Sequence, residues 1–253
     1  MTPRQAVERF HLVFLKHFTS TVSPGTICLK GGVNLRLYHG SPRLSEDMDF
    51  DARIVAVATL QKNVNKTLKA RPLVAELAAA GIGLSEPNDD KQTATCQRWK
   101  FDVVFEGRAT ATRLEFFRRK EDGFDVNRVS PPAAAILGEH QMAPFLFPQY
   151  LSPAAYRQKI NALATRRYAQ ARDVFDLQLL SAQAAAGREA PSALVEKALE
   201  QLATITFAMF LDQVIPFLSA DLAAYYGTEE AWSQMKEQVR QDLTAALPPL
   251  PAS

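Results

Sequence analysis

One stretch, residues 27–51, restricts the fold more than any other part of the chain. It begins with an apolar run, continues into Lys30-Gly31-Gly32, and ends in an acidic segment in which Asp47, Asp49 and Asp51 alternate with Met48 and Phe50. Side chains two residues apart on a strand share a face, so the aspartates predict a polar face and the apolar residues a core face. The stretch therefore predicts a strand, a glycine turn and an acidic strand.

The same stretch predicts a site for a metal ion and a phosphate group. Neighbouring carboxylates repel each other unless cations neutralise them, and Mg²⁺ takes one or two carboxylates together with substrate phosphates. Glycine allows the backbone to approach a ligand closely, and N–H groups at the start of a helix attract anions. The alternative interpretation is a glycine β-turn beside a solvated acidic edge strand.

The order of these motifs resembles that of the AbiEii/AbiGii toxin family, in the DNA polymerase β-like nucleotidyltransferase superfamily. The matching residues are Lys30-Gly31-Gly32 and Arg43-Leu44-Ser45-Glu46-Asp47-Met48-Asp49. The resemblance implies an enzyme that moves a nucleotide from a nucleoside triphosphate onto an acceptor hydroxyl. It implies Mg²⁺ as cofactor, with Mn²⁺ as the alternative, and catalytic and metal-binding roles for Asp47 and Asp49.

A site with two metal ions needs a further carboxylate, and Glu115 is the leading candidate. Arg113 and Glu115 alternate with Leu114 and Phe116, which predicts a strand with Glu115 on its polar face. The resemblance supports a metal-binding role, because a basic-hydrophobic-acid-hydrophobic strand stands at this place in the family. Asp102 is the competing candidate, and a surface Arg–Glu pair is the alternative interpretation.

The second half of the chain contributes Lys159 and two acids, Asp173 and Asp176. Spacing alone predicts an ion pair between Arg172 and Asp176 on a solvated helix, with Asp173 on a different part of the surface. The resemblance implies that Lys159 contacts the triphosphate and that Asp173 orients this lysine or acts as a base. Asp176 stays open as the functional acid instead.

Phosphate contacts are predicted around the glycine turn. Val33 stands where many superfamily members have a Ser or Thr, so the hydroxyl contact must be replaced by Asn34, by backbone N–H groups or by Ser45. Arg36 and Arg43 are each expected to contact phosphate or to form an ion pair, and Arg43 is favoured for the nucleotide. The predicted nucleotide-binding set is Lys30, Gly31, Gly32, Asn34, Arg43, Ser45 and Lys159.

Composition excludes several classes of protein. The chain has 253 residues, 47% of them hydrophobic, which is enough for one large or two small domains. The net charge of +2 does not indicate a general nucleic-acid binder. The two cysteines predict buried thiols in a reducing compartment. We expect a cytoplasmic protein without a signal peptide or membrane span.

Periodicity predicts an α+β fold with two domains. Residues 1–128 are predicted to form a polymerase β-like nucleotidyltransferase domain with a mixed sheet, and residues 129–253 a helical domain. Expected helices span 3–19, 33–38, 56–81 (kinked or split at Pro72), 133–140, 153–165, 167–185, 191–217 and 228–246. Expected strands span 26–30, 47–53, 96–105 and 110–118, with polar or proline-rich loops at 85–91 and 143–152 and a frayed tail from Pro248.

Three functions follow from these observations. The resemblance favours the toxin of a bacterial toxin–antitoxin or phage-defence pair, with an RNA or tRNA 3′ end or a protein as acceptor. The antitoxin is expected to be a separate DNA-binding regulator. Four arginines are expected to help an RNA acceptor dock: Arg157, Arg166, Arg167 and Arg172. The alternatives are nucleotidylation of a small molecule such as an antibiotic, and a catalytically silent binding protein that keeps the fold.

Overall fold

The computed structural model describes residues 1–23, 25–118, 127–183 and 190–247. It is a mixed α+β protein whose chain divides into two compact units. Unit 1 contains Met1–Gly40 and Leu44–Tyr150, and unit 2 contains Ser41–Arg43 and Leu151–Ser253. The segment Ser41–Arg43 is therefore part of the unit built from the C-terminal residues. The predicted functional domains, 1–128 and 129–253, stay a prediction.

Unit 1 alternates helices with strands. Its elements in chain order are α1 (Pro3–Phe18), β1 (Ile27–Lys30), α2 (Gly31–Tyr38), β2 (Met48–Ala52), α3 (Val57–Leu68), α4 (Arg71–Ala79), β3 (Ile82–Leu84), β4 (Asn88–Gln92), β5 (Cys96–Phe105), β6 (Arg108–Phe117), β7 (Asn127–Ser130), α5 (Ala134–Glu139) and β8 (Phe147–Tyr150).

The strands form one mixed sheet in the order β3-β5-β6-β2-β1-β8-β7, and β4 also pairs with β5. β2 runs parallel to β6 and antiparallel to β1, while β1 runs parallel to β8. β5 and β6 form a hairpin whose turn residues Glu106 and Gly107 both have positive φ, 49° and 74°. This turn conformation matches the right-handed twist of paired strands. The mixed sheet was predicted and is confirmed.

Aromatic side chains build the core between α1 and the sheet. Phe14 and Phe18 of α1 contact Phe50 of β2, and Phe50 stacks on Phe116 of β6 with ring centroids 4.5 Å apart. All four side chains are fully buried. Phe50 lies between Asp49 and Asp51, and Phe116 directly follows Glu115. Because neighbouring side chains on a strand point to opposite faces, the acids lie on the face opposite the core.

Most predicted elements of unit 1 are confirmed, with boundaries shifted by a few residues. The predicted helix 56–81 is split, as expected, because Pro72 occupies the first turn of α4. Thr2 caps α1 as part of a reciprocal hydrogen-bonded pair with Gln5. The segment Glu121-Asp122-Gly123, after which the sequence becomes rich in alanine, lies outside the described residues.

Four strands were predicted wrongly as loop or were overlooked, and one of them is β3, which follows the predicted helix 56–81. β4 lies in the predicted polar loop 85–91, and β8 lies in the predicted proline-rich loop 143–152. β7 lies where little strand signal was expected. β8 contains Pro148, which cannot donate a ladder hydrogen bond, so local sequence argues against a strand. Pairing with both β1 and β7 nevertheless holds it in the sheet.

Unit 2 is helical in its described part. Its elements are α6 (Ser152–Thr165), α7 (Ala171–Ser181), α8 (Ser192–Thr204), α9 (Phe207–Gln213), a short 3₁₀ helix (Ile215–Phe217), α10 (Ala220–Tyr226) and α11 (Glu229–Ala245). The predicted helix 191–217 is wrong as one element, because Thr206 begins a new helix by accepting a hydrogen bond from the Met209 N–H. The C-terminal end of the predicted helix 167–185 and the tail from Pro248 lie outside the described residues.

Both cysteines, Cys28 and Cys96, are free and buried, as predicted.

Within the described ranges, no helix taken alone has the length and apolar composition of a membrane span. The bent pair Ser192–Thr204 and Phe207–Phe217, with 92° between its helices, meets those two criteria only when its members are joined.

Candidate functional site

Strand register brings four charged residues into one row across unit 1. Lys30 of β1 pairs with Asp49 of β2, Asp49 pairs with Glu115 of β6, and Glu115 pairs with Arg98 of β5. Residues paired in register point to the same face of a sheet. We call the face that carries Asp47, Asp49, Asp51 and Glu115 the acidic face. Sequence alternation predicted the faces, and the register places Asp49 next to Glu115.

Gly31 begins α2 directly after β1 and lies against Asp49. Its φ is +70°, a conformation that glycine adopts without strain. A Cβ atom at this position would lie only 2.6 Å from Oδ2 of Asp49. The glycine is therefore needed for two reasons, the left-handed turn and the close approach of the Asp49 carboxylate to the backbone.

Two acids of this face, Asp47 and Glu115, have arginine partners. Asp47 pairs with Arg113 and Glu115 pairs with Arg98. The hydrogen bond to Asp47 is the largest cause that raises the pKa of Arg113. These pairings neutralise carboxylates that would otherwise repel one another.

Asp51 is the most enclosed acid of β2, only 5% exposed. It pairs with Lys30, and the Tyr150 hydroxyl donates to its Oδ2 at 2.8 Å. The Lys30 amine also lies 4.5 Å from the centroid of the Phe117 ring. Lys30, predicted to bind nucleotide, is thus held by Asp51 in this structure.

Several predicted phosphate-contacting residues have structural partners. Asn34 is fully buried, and its amide donates to the Tyr150 carbonyl at 3.0 Å. The Ser45 hydroxyl donates to the Asp47 carbonyl at 3.1 Å, and Arg36 binds Glu8 with a 2.6 Å contact from Nε to Oε1. Gly32 is the second residue of α2. The nucleotide contacts of Asn34, Ser45 and Gly32 stay predictions, and the burial of Asn34 favours a structural role.

Asp102, the competitor of Glu115, lies on the same face of the sheet but farther along. It pairs with Ala111, four residues along β5 from Arg98, which corresponds to about 13 Å at ~3.3 Å per residue. The register therefore favours Glu115 over Asp102 as the neighbour of Asp49.

A second group of charges lies inside unit 2. Lys159 of α6 places its Nζ 3.0 Å from Oδ1 of Asp173 and 2.7 Å from Oδ2 of Asp176, both on α7. Both aspartates are fully buried, and Lys159 is 8% exposed. Two further cations complete this group, and we call the five residues the lysine cluster: Arg43, Lys159, Arg166, Asp173 and Asp176.

The two arginines bind different acids of the lysine cluster. Nη2 of Arg43 lies 3.2 Å from Oδ1 and 3.0 Å from Oδ2 of Asp176, and Nε of Arg166 lies 3.1 Å from Oδ2 of Asp173. Burial alone would raise the pKa of Asp176, but the charges of Arg43 and Lys159 outweigh it, so that this pKa is lowered. Asp176 is therefore a buried anion held by two cations.

The lysine cluster corrects the interpretation drawn from helix spacing. Asp176 does not lie on a solvated face with Arg172, and Asp173 does not lie on a different part of the surface. Both acids are fully buried and contact the same lysine. Residues three apart on a helix are neighbours, and here both point inward. The implied contact between Asp173 and Lys159 is present, and Asp176 makes a second one.

Among the residues that the structure describes, no group of three or more His, Cys, Asp or Glu side chains is placed to hold a metal ion. The predicted set Asp47, Asp49 and Glu115 shares a face, yet Asp47 and Glu115 each bind an arginine. The donor chemistry itself fits Mg²⁺, because these are hard carboxylate oxygens and such sites are completed by phosphate oxygens.

No site role was predicted for four residues that contact the site residues: Arg98, Arg113, Asp51 and Tyr150. Alternation placed Asp51 and Arg113 on the polar faces of their strands, but it did not indicate that they bind Lys30 and Asp47. Tyr150 lies 99 residues from Asp51 along the chain, in a segment read as a loop, so no local signal indicates it.

The chain is similar to a known protein family over most of its length. The family described as "Nucleotidyl transferase AbiEii toxin, Type IV TA system" matches residues 14–251. This chain belongs to the AbiEii family. The match spans both compact units, and it confirms the family resemblance read from the glycine turn and the acidic strand. No protein with a curated description matches the AbiEii chain.

Two solved structures from Helicobacter pylori share the fold of this AbiEii protein. One is described as the crystal structure of JHP933, with 17% identity, a TM-score of 0.59, and 97% of this chain and 95% of that chain covered. The other is described as a nucleotidyltransferase, with 17% identity, a TM-score of 0.57, and 96% and 94% covered. At this identity the likeness concerns the fold alone.

Proposed function

We propose that this AbiEii protein is a Mg²⁺-dependent nucleotidyltransferase that moves a nucleotide from a nucleoside triphosphate onto an acceptor hydroxyl. The single observation that carries the proposal is the register of Asp49 with Glu115 on adjacent parallel strands, with the Gly31 backbone against Asp49. Two carboxylates side by side on rigid strands suit a divalent metal ion that also binds triphosphate oxygens. Asp47 is the third acid of the proposed site.

The residues that would hold Mg²⁺ are Asp49, Glu115 and Asp47. When bound, the metal ion supplies positive charge that stabilises the triphosphate and the departing pyrophosphate. In the transfer, the acceptor oxygen forms a bond to the α-phosphorus while the bond from this phosphorus to the pyrophosphate oxygen breaks. The proton of the acceptor hydroxyl passes to a base, for which the acidic face offers carboxylates.

Lys159 is proposed to contact the triphosphate through its ammonium group. The ammonium group forms ion pairs with Asp173 and Asp176, and these pairs fix the direction of the lysine side chain within unit 2. A lysine acts as a point charge on phosphate oxygens and needs no specific planar geometry. Asp173, which is also a proposed catalytic residue, then orients the lysine.

The biological role we propose is that of a toxin with a separate antitoxin. Membership of a family described as a Type IV toxin–antitoxin system supports this role.

The loop between α6 and α7 favours an RNA end over a protein side chain as the acceptor. Tyr168 is 69% exposed there, and the Arg167 guanidinium carbon lies 5.2 Å from its ring centroid. An exposed ring beside arginines suits a stacked base and a phosphate backbone.

The test compares Asp49→Asn with wild type, using radiolabelled nucleotides and three acceptors: total tRNA, protein and an aminoglycoside. Asp49→Asn should lower transfer at least about 100-fold, the loss typical of removing one charge-stabilising group. Asp102→Asn is the matched control, because Asp102 lies on the same sheet face but away from the row, and it should keep wild-type transfer.

The outcomes of this assay separate the candidate functions. Transfer to tRNA or to protein supports the toxin proposal, and transfer only to the aminoglycoside supports a small-molecule enzyme. A wild-type protein that transfers nothing at any Mg²⁺ or Mn²⁺ concentration supports a silent binding protein. Full activity of Asp49→Asn would remove the acidic face from the site.

The acceptor is tested by Tyr168→Ala. Loss of base stacking, worth about 1–3 kcal/mol, should raise KM for tRNA by roughly 5- to 150-fold and leave KM for the nucleotide unchanged. Tyr225→Ala is the matched control, because Tyr225 is also 69% exposed and lies in a stretch, 206–228, without lysine or arginine. Equal effects of the two variants would contradict an RNA-binding role for the loop.

A further inference from the structure

Arg43 was expected to contact the nucleotide, but the structure gives its charge another use. The residue is 4% exposed and belongs to the compact unit that contains α6 and α7, although Gly40 and Leu44, which flank the segment Ser41–Arg43, belong to the other unit. Its Nη2 atom binds both oxygens of Asp176. The segment Ser41–Arg43 thus brings a cation from the loop before the acidic strand into the lysine cluster.

Asp176 connects the two cations directly. Its Oδ2 atom lies 2.7 Å from Nζ of Lys159 and 3.0 Å from Nη2 of Arg43. The carboxylate is fully buried, so it cannot exchange these partners for water. Removing one partner of a buried ion pair leaves a charge without compensation, and the remaining groups then rearrange around it. Without Arg43, Asp176 would be neutralised by Lys159 alone.

We propose that Arg43 is a positioning residue: it fixes the Asp176 carboxylate and, through it, the direction of the Lys159 ammonium group. This inference rests on the proposed function, in which Lys159 meets the triphosphate. In this proposal Arg43 does not contact the nucleotide directly. It acts on Lys159 through the buried carboxylate of Asp176. It also gives Asp176 a role different from that of Asp173, which binds Lys159 and Arg166.

A double-mutant cycle separates positioning from direct contact. The four proteins are wild type, Arg43→Met, Asp176→Asn and the double variant, and the readouts are kcat/KM for transfer and the affinity for the nucleotide with Mg²⁺. Coupled residues show interaction energies that make their effects non-additive. We expect Arg43→Met to lower kcat/KM at least about fivefold in wild type and less than about twofold in the Asp176→Asn background.

Arg43→Lys is the conservative variant. Nη2 of Arg43 contacts both oxygens of Asp176, and a lysine ammonium can place a point charge against the same carboxylate. We expect Arg43→Lys to recover most of the rate that Arg43→Met loses. All rates are measured at a temperature where circular dichroism shows each variant folded. If Arg43→Met does not fold, Arg43→Gln, which keeps a hydrogen-bond donor for Asp176, takes its place in the cycle.

Two results would overturn the inference. Effects of Arg43→Met that are equal in both backgrounds would indicate that Arg43 contacts the nucleotide directly. An unchanged kcat/KM and nucleotide affinity, with only a lower melting temperature, would indicate a purely structural ion pair. Failure of the proposed function is distinguishable from both, because wild type itself would then neither bind nor transfer a nucleotide.

Discussion

At the scale of single residues, Gly31 shows how a missing side chain shapes the acidic face. Its backbone turns at a φ of +70° and a Cβ atom there would lie 2.6 Å from Oδ2 of Asp49. Gly40 has nearly the same φ, +71°, but no atom lies within 4 Å of a Cβ built on it. A side chain at either position would carry the conformational penalty of a positive φ, but only a side chain at Gly31 would also collide with a neighbouring residue.

We predict that Gly31→Ala destabilises the protein more than Gly40→Ala and removes nucleotide transfer. A left-handed backbone costs a non-glycine residue about 1–2 kcal/mol, and both variants carry that loss. Only Gly31→Ala must also displace the Asp49 carboxylate. Chemical denaturation and the transfer assay measure the two effects, and a Gly31→Ala protein with the activity of Gly40→Ala would show that the contact with Asp49 is unimportant.

At the scale of elements, a buried histidine joins α1 to the acidic strand. Nε2 of His11 lies 3.3 Å from the Thr112 hydroxyl of β6, which donates to the Glu46 carbonyl at 2.6 Å. Burial lowers the pKa of His11 from 6.5 to about 4. The neutral ring thus donates to a hydroxyl that holds the backbone just before Asp47.

We predict that this histidine makes the protein less stable in mild acid. The folded-state pKa is below the unfolded one, so the unfolded chain binds the proton more tightly and stability falls as pH drops from 6.5 towards about 4. The full shift corresponds to about 3 kcal/mol. His11→Gln, which can still donate to Thr112, should remove this loss. Urea unfolding from pH 4 to pH 7.5 measures it, and parallel curves for both proteins would contradict the prediction.

At the scale of the whole molecule, the sheet depends on a strand far from the acidic stretch. β8 pairs with β1 in parallel, its Tyr150 hydroxyl binds Asp51, and Asn34 binds the Tyr150 carbonyl. Unit 1 correspondingly extends to Tyr150. A boundary at residue 128 would separate these contacts from the rest of the sheet.

We predict that a fragment of residues 1–150 unfolds cooperatively on heating and that a fragment of residues 1–128 does not. The shorter fragment lacks β8 and exposes the edge of β1, and exposed edges promote aggregation. Circular dichroism melts and size-exclusion chromatography distinguish the two fragments. A shorter fragment that is monomeric and equally stable would favour the predicted domain limits.

Local sequence by itself determined the glycine turn, the alternation of acids with core residues on β2 and β6, the β5–β6 hairpin and the family. These features depend on residues close together in the chain, where periodicity and turn chemistry decide the conformation. Only the tertiary structure decided that Tyr150 binds Asp51, that β8 joins the sheet, and that Arg43 binds Asp176, which is 133 residues away. A charged side chain has many potential partners of opposite sign, and burial in a packed fold selects one of them.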